Sequence, residues 1–319
     1  MQGVILAAGK GTRLKPITLT RTKAMAPILG KPIVERVMEG LAENGVKDFI
    51  LVVSPEDKEI VHYFQTESTL DVAIQFVAQK TRRGMGDALR YALPFVVGDF
   101  VLSACDNLVD KSYINRMLSF WNASENPDAV LTLMEVPPER IPHVGIVDTE
   151  GDRIKAIIEK PTVEEAPSNI ASLPLYCFSK RLLKHVPQIP LSKRDEYELQ
   201  DAIQMLIEES NNVYGLQLDR RMTVTRPTDL LAINIHYLKN DKNQTQIKTS
   251  NIGHNTEFVT PLVIDTNVKI GNNCKIGPNV YIEKGAQIGN HVNIRDSIVL
   301  QNSVVGDEMT IEGQVYFKD

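Results

Sequence analysis

Between Gly3 and Pro16 the chain reads GVILAAGKGTRLKP. An apolar run, Val4-Ile5-Leu6, stops at a Gly-rich stretch, and Arg13, Lys15 and then Lys23 follow. Residues of these types in this order can hold a phosphate. Small residues let backbone N–H groups approach an anion closely, and Arg13 supplies a bidentate fork. Two standard phosphate cradles do not fit. The dinucleotide fingerprint G-x-G-x-x-G needs glycine where Leu14 stands, and the G-x-x-x-x-G-K-[ST] loop needs glycine at Val4 and a hydroxyl at Gly11. The glycines alone equally suit a tight strand-to-helix turn with positive φ. Three cations in one segment favour a polyphosphate.

The rest of the composition narrows the chemistry. The 319 residues carry a formal net charge of −5, which argues against general nucleic-acid binding. Cys105, Cys177 and Cys274 lie far apart with no C-x-x-C pair, so neither zinc nor a disulfide framework is expected, which fits a reducing compartment. No His or Cys constellation suggests a nucleophile. No apolar run approaches the ~20 residues that span a bilayer, and the start lacks a basic leader. A cytoplasmic protein with no membrane partner is expected.

The elements that must position these residues follow from periodicity. GVILAA, DFILVVS, VAIQFVA and DFVLSACDN read as strands. PIVERVMEGLAENG, EDKEIVHYFQTE and GMGDALRYAL read as helices between them; Ile33, Val37, Met38 and Leu41 share one face, Pro32 suits the first turn and Gly45 can end the helix. Residues 128–178 are strand-rich, and ELQDAIQMLIEES and TDLLAINIHYLKND read as helices. This β-α-β-α rhythm predicts an α/β fold: a Rossmann-like mixed, mostly parallel sheet flanked by helices over residues 1–240. Ligands in such sheets bind beyond the carboxyl ends of the strands, where the opening glycines and Asp106 fall. Residues 239–251 read as a linker.

Residues 251–319 change character. Every sixth residue from Ile252 to Leu300 is large and apolar, and a second apolar set runs from Leu262 through Val280 to Ile298 and Val304. Glycine follows the lead residue at Gly253, Gly271, Gly277 and Gly289. Period six predicts a short left-handed parallel β-helix of about three coils.

Taken together, LAAGKGTRLKPITLTRTKAMAP, AQKTRRGMGDAL, LSACDN, HVGIVD, IIEKP, SNIASLPLYCF and DEYELQDAIQMLI resemble, in order, the motifs of the sugar-nucleotide pyrophosphorylases. The hexapeptide tail is similar to that of the longer members, notably long-type glucose-1-phosphate thymidylyltransferase. The resemblance spans nearly the whole chain. It implies transfer of a nucleotidyl group from an NTP to a sugar 1-phosphate with release of pyrophosphate, dTTP or UTP with glucose 1-phosphate being favoured, and Mg²⁺ as cofactor. It implies that Leu6, Ala8, Gly9, Gly11 and Thr12 cradle the nucleotide and that Gln79 and Gly84 contact its base. Arg13 and Lys23 would act on the triphosphate, Asp106 would hold Mg²⁺, and Gly145, Glu159, Lys160 and Asn169 would hold the sugar phosphate. A homo-oligomer is expected.

Four positions depart from that pattern. Ala24 follows Lys23 where proline is usual, and Cys105 precedes Asp106 where glycine is usual. Pro174 replaces a glycine of the sugar-binding strand. In RMTVTRPTDLLAIN, alignment on Pro227, Asp229, Leu230 and Leu231 puts Thr223 where a second metal carboxylate would stand. Thr223 and Cys105 leave room for a weakly active homologue that binds nucleotide sugars. His254 and His291 leave room for an acyltransferase activity in the β-helix.

Overall fold

A computed structural model describes residues 1–240 and 245–318. The chain divides into two compact units: Met1–Gly9 with Val34–Met222, and Lys10–Ile33 with Thr223–Asp319.

In chain order the strands outside the C-terminal stack are β1 (Gln2–Leu6), β2 (Pro27–Ile28), β3 (Lys31–Pro32), β4 (Asp48–Val53), β5 (Ala73–Ala78), β6 (Phe100–Ala104), β7 (Asn107–Leu108), β8 (Ala129–Glu135), β9 (Gly145–Glu150), β10 (Arg153–Glu159), β11 (Ile170–Phe178), β12 (Val213–Gln217) and β13 (Met222–Thr223). The helices are α1 (Ile33–Glu43), α2 (Lys58–Thr66), α3 (Gly84–Ala92), α4 (Lys111–Ala123), α5 (Leu199–Ser210) and α6 (Pro227–Asn240). The first unit is built on a nine-stranded sheet of order β5-β4-β1-β6-β11-β8-β12-β10-β9. The strands β5, β4, β1 and β6 run parallel, joined through helices as βαβ units require. The strand β11 runs antiparallel to β6 and β8, which reverses the sheet direction. Val4, Val52, Phe100, Leu102, Leu131, Tyr176 and Phe178 share a core with Leu89 of α3 and Ile203 and Leu206 of α5.

Several elements go beyond the sequence reading, α4 and β12 among them. The helix α4 buries Tyr113, Ile114, Met117 and Trp121 on one face. Strand β12 pairs in parallel with β8 despite Gly215 at its centre. Pro174 sits where the β11–β8 register shifts, between Leu173 and Tyr176, so its missing N–H falls at an interruption of the ladder.

In the second unit α6 begins at Pro227, with Asp229 Oδ2 accepting from the N–H groups of Thr225 and Arg226, both at 2.8 Å. Of the expected linker, residues 241–244 lie outside the described residues, and Thr245–Ile247 is instead a strand, parallel to Leu262–Ile264. It opens a stack of three parallel sheets with five, four and three strands. Val268, Cys274, Ile276, Ile282, Ile288 and Ile294 fill its interior.

The sixfold count fails at Ser297–Val299, the fourth strand of the five-stranded sheet. Ile282 pairs with Val299, not Leu300, and Val280 pairs with Ser297, not Ile298. One residue is missing at the corner held by Asp296, whose φ is 46°. From there the inward positions shift by one: Ser303 is buried, whereas Val304 is 43% exposed.

Candidate active site

In the first unit, β1 and β6 deliver their carboxyl ends side by side. Leu6 pairs with Ala104, and the Cys105 N–H donates to the Leu6 carbonyl at 3.1 Å. Leu6, Ala8 and Asp106 are buried there, and Gly9 is exposed with open space around its missing side chain. Asp106 lies in the turn after β6. Arg221 is its electrostatic neighbour: burial lowers the guanidinium pKa, Asp106 and Tyr176 oppose that, and Arg140 adds to it. The Arg221 Nε is buried without a hydrogen-bond partner.

Gln79, buried at the end of β5, donates through Nε2 to Asp87 Oδ2 at 2.7 Å and to the Gly84 carbonyl at 3.4 Å. A carboxylate only accepts, so Asp87 fixes the amide with its NH₂ inward and leaves Oε1 as the acceptor it can offer. Gly84 has φ +88°, and a Cβ there would come within 2.8 Å of the Tyr197 carbonyl oxygen. Only glycine fits both conditions.

Gly145 and Glu159 face each other across the β9–β10 pair. A Cβ on Gly145 would lie 3.1 Å from Glu159 Oε2, so the glycine makes room for the carboxylate. Glu159 Oε1 pairs with Lys160 Nζ at 3.2 Å, while Oε2 is buried without a partner. Burial raises the Glu159 pKa; Lys160 opposes the shift, and Glu198 adds to it. Asn169 is exposed just before β11, its carbonyl accepting from the Val136 N–H at 2.9 Å.

The second unit carries the segment with the cations. Gly11, at φ +61°, caps a short 3₁₀ turn, Thr12–Leu14, and Lys23–Met25 forms another. A Cβ on Gly11 would meet the Lys23 Cβ at 2.8 Å, so the glycine lets the two turns touch. The Thr18 hydroxyl donates to the Gly11 carbonyl at 3.0 Å. Arg13 and Thr12 are exposed and Lys23 is half-buried. Thr223 is half-buried in β13.

Among the described residues no group of three or more His, Cys, Asp or Glu side chains is gathered to hold a metal. Asp106 is a buried carboxylate at a strand end. That fits a magnesium ion bound chiefly by substrate phosphates and water, with one or two carboxylates from the protein, rather than a cage built in advance. No described helix is long and apolar enough to cross a membrane.

The first unit is a mixed α/β sheet with Gly9, Gln79 and Asp106 just past the carboxyl ends of its strands, where ligands of such sheets bind. The chain belongs to the nucleotidyl transferase family, whose description matches residues 2–240; the GMPPB C-terminal domain matches residues 258–316. It is 36% identical over 324 residues to the bifunctional protein GlmU of Methanococcus maripaludis, covering all of this chain and 74% of that one. It is 30% identical over 246 residues to a putative UTP–glucose-1-phosphate uridylyltransferase of Methanocaldococcus jannaschii, covering 68% of this chain and 86% of the relative. A UTP-bound UGPase from Acinetobacter baumannii superposes with a TM-score of 0.66 at 26% identity, covering 76% of this chain and 95% of that structure. The chain is a sugar-1-phosphate nucleotidyltransferase.

The sequence reading named neither Asp87 nor Arg221. Asp87 had a visible signal, an acidic residue in the first turn of the helix that follows Gln79. Arg221 had one too, an arginine two residues before Thr223.

Proposed function

We propose that the chain transfers a uridylyl or thymidylyl group from UTP or dTTP to glucose 1-phosphate and releases pyrophosphate. The observation that carries the choice of base is the Gln79 amide fixed by Asp87 at 2.7 Å. Its Oε1 accepts from the N3–H of uracil or thymine. Adenine N1 and cytosine N3 are themselves acceptors and meet it with repulsion. Guanine N1–H matches the same acceptor; relatives named for UTP and glucose 1-phosphate favour the pyrimidine.

In this reading a phosphate oxygen of the sugar 1-phosphate attacks the α-phosphorus in line, and the bond to the β-phosphate oxygen breaks. The attacking oxygen is already ionised at neutral pH, so no general base is needed. Catalysis is positioning and charge neutralisation. Leu6, Ala8, Gly9, Gly11 and Thr12 cradle the nucleotide, and Gly84 admits its base beside Gln79. Arg13 and Lys23 take up the charge gathering on the departing pyrophosphate. Asp106 would hold Mg²⁺, which supplies further neutralisation of phosphate charge when bound. Arg221 adds a fixed positive charge beside Asp106. Gly145 opens space for the sugar, the unpartnered Glu159 Oε2 accepts from a sugar hydroxyl, Asn169 contacts the sugar, and Lys160 holds its phosphate.

The test is pyrophosphate release with Mg²⁺ across UTP, dTTP, GTP, CTP and ATP, each with glucose, N-acetylglucosamine and mannose 1-phosphates. UTP or dTTP with glucose 1-phosphate should give the highest kcat/KM, and ATP and CTP should fall at least about tenfold lower, the worth of roughly one hydrogen bond. Asp106→Ala should abolish turnover and Lys23→Ala should strongly weaken it. A preference for ATP or CTP would refute the base assignment.

A further inference from the structure

Arg21 lies two residues before Lys23, and its guanidinium meets Glu283 of the β-helix fork to fork. Nη1 is 2.6 Å from Oε1 and Nη2 is 3.1 Å from Oε2. Both side chains are only 7% exposed. The rung above completes the shell: the Gln301 N–H donates to Glu283 Oε2 at 2.8 Å, and Gln301 Oε1 accepts from Arg21 at 3.4 Å. Glu283 directly follows the rung strand Val280–Ile282, so it is held on rigid backbone.

The same segment is fastened a second time. The hairpin of β2 and β3 turns at Leu29 and Gly30, both at positive φ. Asn234 of α6, fully buried, accepts from the Leu29 N–H at 3.0 Å and donates to the Pro27 carbonyl at 3.0 Å. Residues 21–30 are thus pinned at one end by an ion pair and at the other by an amide. Lys23 falls between the pins.

A buried ion pair is a costly way to add stability, because both charges lose their hydration; an apolar pair of similar size often does as well or better. What it does supply is a single geometry, since the planar fork accepts a carboxylate in one orientation. We infer that Arg21 and Glu283 are positioning residues for nucleotidyl transfer: the β-helix sets the place of the Lys23 ammonium through them. This rests on the proposed role of Lys23 at the triphosphate. It gives the C-terminal coils a part in catalysis that needs no ligand site of their own.

The experiment is steady-state pyrophosphate release by the full chain, with Glu283→Gln and Arg21→Lys measured alone and in a Lys23→Ala background. Glu283→Gln keeps the shape and removes the charge; Arg21→Lys keeps the charge, is one atom shorter and removes the fork. With Lys23 present, Glu283→Gln should lower kcat/KM for the NTP at least tenfold and leave KM for the sugar 1-phosphate within twofold. In the Lys23→Ala background the same change should cost less than twofold, because the group it positions is gone. A purely structural role predicts equal losses in both backgrounds, and that result overturns the inference. So does wild-type kinetics in a folded Glu283→Gln variant. If Glu283→Gln fails to fold, Arg21→Lys is read against the same criteria. If Lys23→Ala alone stays within twofold of wild type, the role given to Lys23 is wrong, and that outcome is visible before any effect of Glu283 is considered.

Discussion

Replacing Glu159 with glutamine separates binding from stability, because the two should move in opposite directions. In the native chain Oε2 is buried without a partner while Oε1 holds Lys160 at 3.2 Å. An acceptor left open in a protein costs folding free energy, and burial raises this pKa above its ordinary value. The sign follows from linkage. The folded state binds the proton more tightly than the unfolded state, so the stability from this group is fully present below the unfolded pKa and is lost as pH rises through the folded one. Once ionised, Glu159 therefore weakens the fold, and Glu159→Gln should leave Tm unchanged or higher. Binding goes the other way. A hydrogen bond from a sugar hydroxyl to a charged acceptor contributes about 1.5–3 kcal/mol, so kcat/KM for the sugar 1-phosphate should fall about 10- to 150-fold. KM for the NTP should stay within twofold. In the native enzyme, kcat/KM for the sugar 1-phosphate should climb with pH through the raised Glu159 pKa and then level; in the variant the Glu159 part of that climb should vanish, leaving only the ionisation of the substrate phosphate, at about pH 6. The assays are initial rates of pyrophosphate release against pH and a thermal melt. A variant that loses Tm and both KM values together would show that Glu159 serves the fold, and the reasoning would be refuted.

Two further changes test the supports. Gly84→Ala places a Cβ 2.8 Å from the Tyr197 carbonyl at a φ of +88°; the left-handed backbone alone costs roughly 1–2 kcal/mol, so Tm should drop by several degrees and KM for the NTP should rise more than KM for the sugar phosphate. Asn234→Ala removes the bonds to Leu29 and Pro27; a urea melt should show a loss of about 1–3 kcal/mol for the polar groups left unpaired.

Much of this was legible in residue order, and the reasons it stopped are physical. The helix α1 announces itself because Ile33, Val37, Met38 and Leu41 recur at helical spacing. The β-helix announces itself because each corner repeats after six residues. The helix α4 carries the same kind of stripe, Tyr113, Ile114, Met117 and Trp121, but it is diluted by Lys, Ser, Asn and Arg. The register slip near Asp296 is invisible to counting, because Ile298, Val299 and Leu300 are all apolar and any of them satisfies a period. Strand β12 is obscured by a central glycine that sheets usually avoid. At the site, the glycines, Asp106 and Glu159 stand in recognisable runs, whereas the Gln79–Asp87 bond depends on how a strand end and the helix after it are set. The contact between Arg21 and Glu283 joins residues 262 positions apart, and no local pattern encodes it.

Residues 10–33 belong to the C-terminal unit although the sheet unit brackets them on both sides. The chain therefore leaves the sheet unit after Gly9, returns to it at Val34 and leaves it again after Met222. Three peptide junctions join the two units instead of one. Such a chain does not recombine as a cassette: exchanging the β-helix for that of another enzyme, by a single cut after α6, would leave the Gly11–Lys23 segment facing a foreign surface. A working chimera has to carry residues 10–33 along with the tail, so the two distant stretches of sequence are expected to be inherited as one piece.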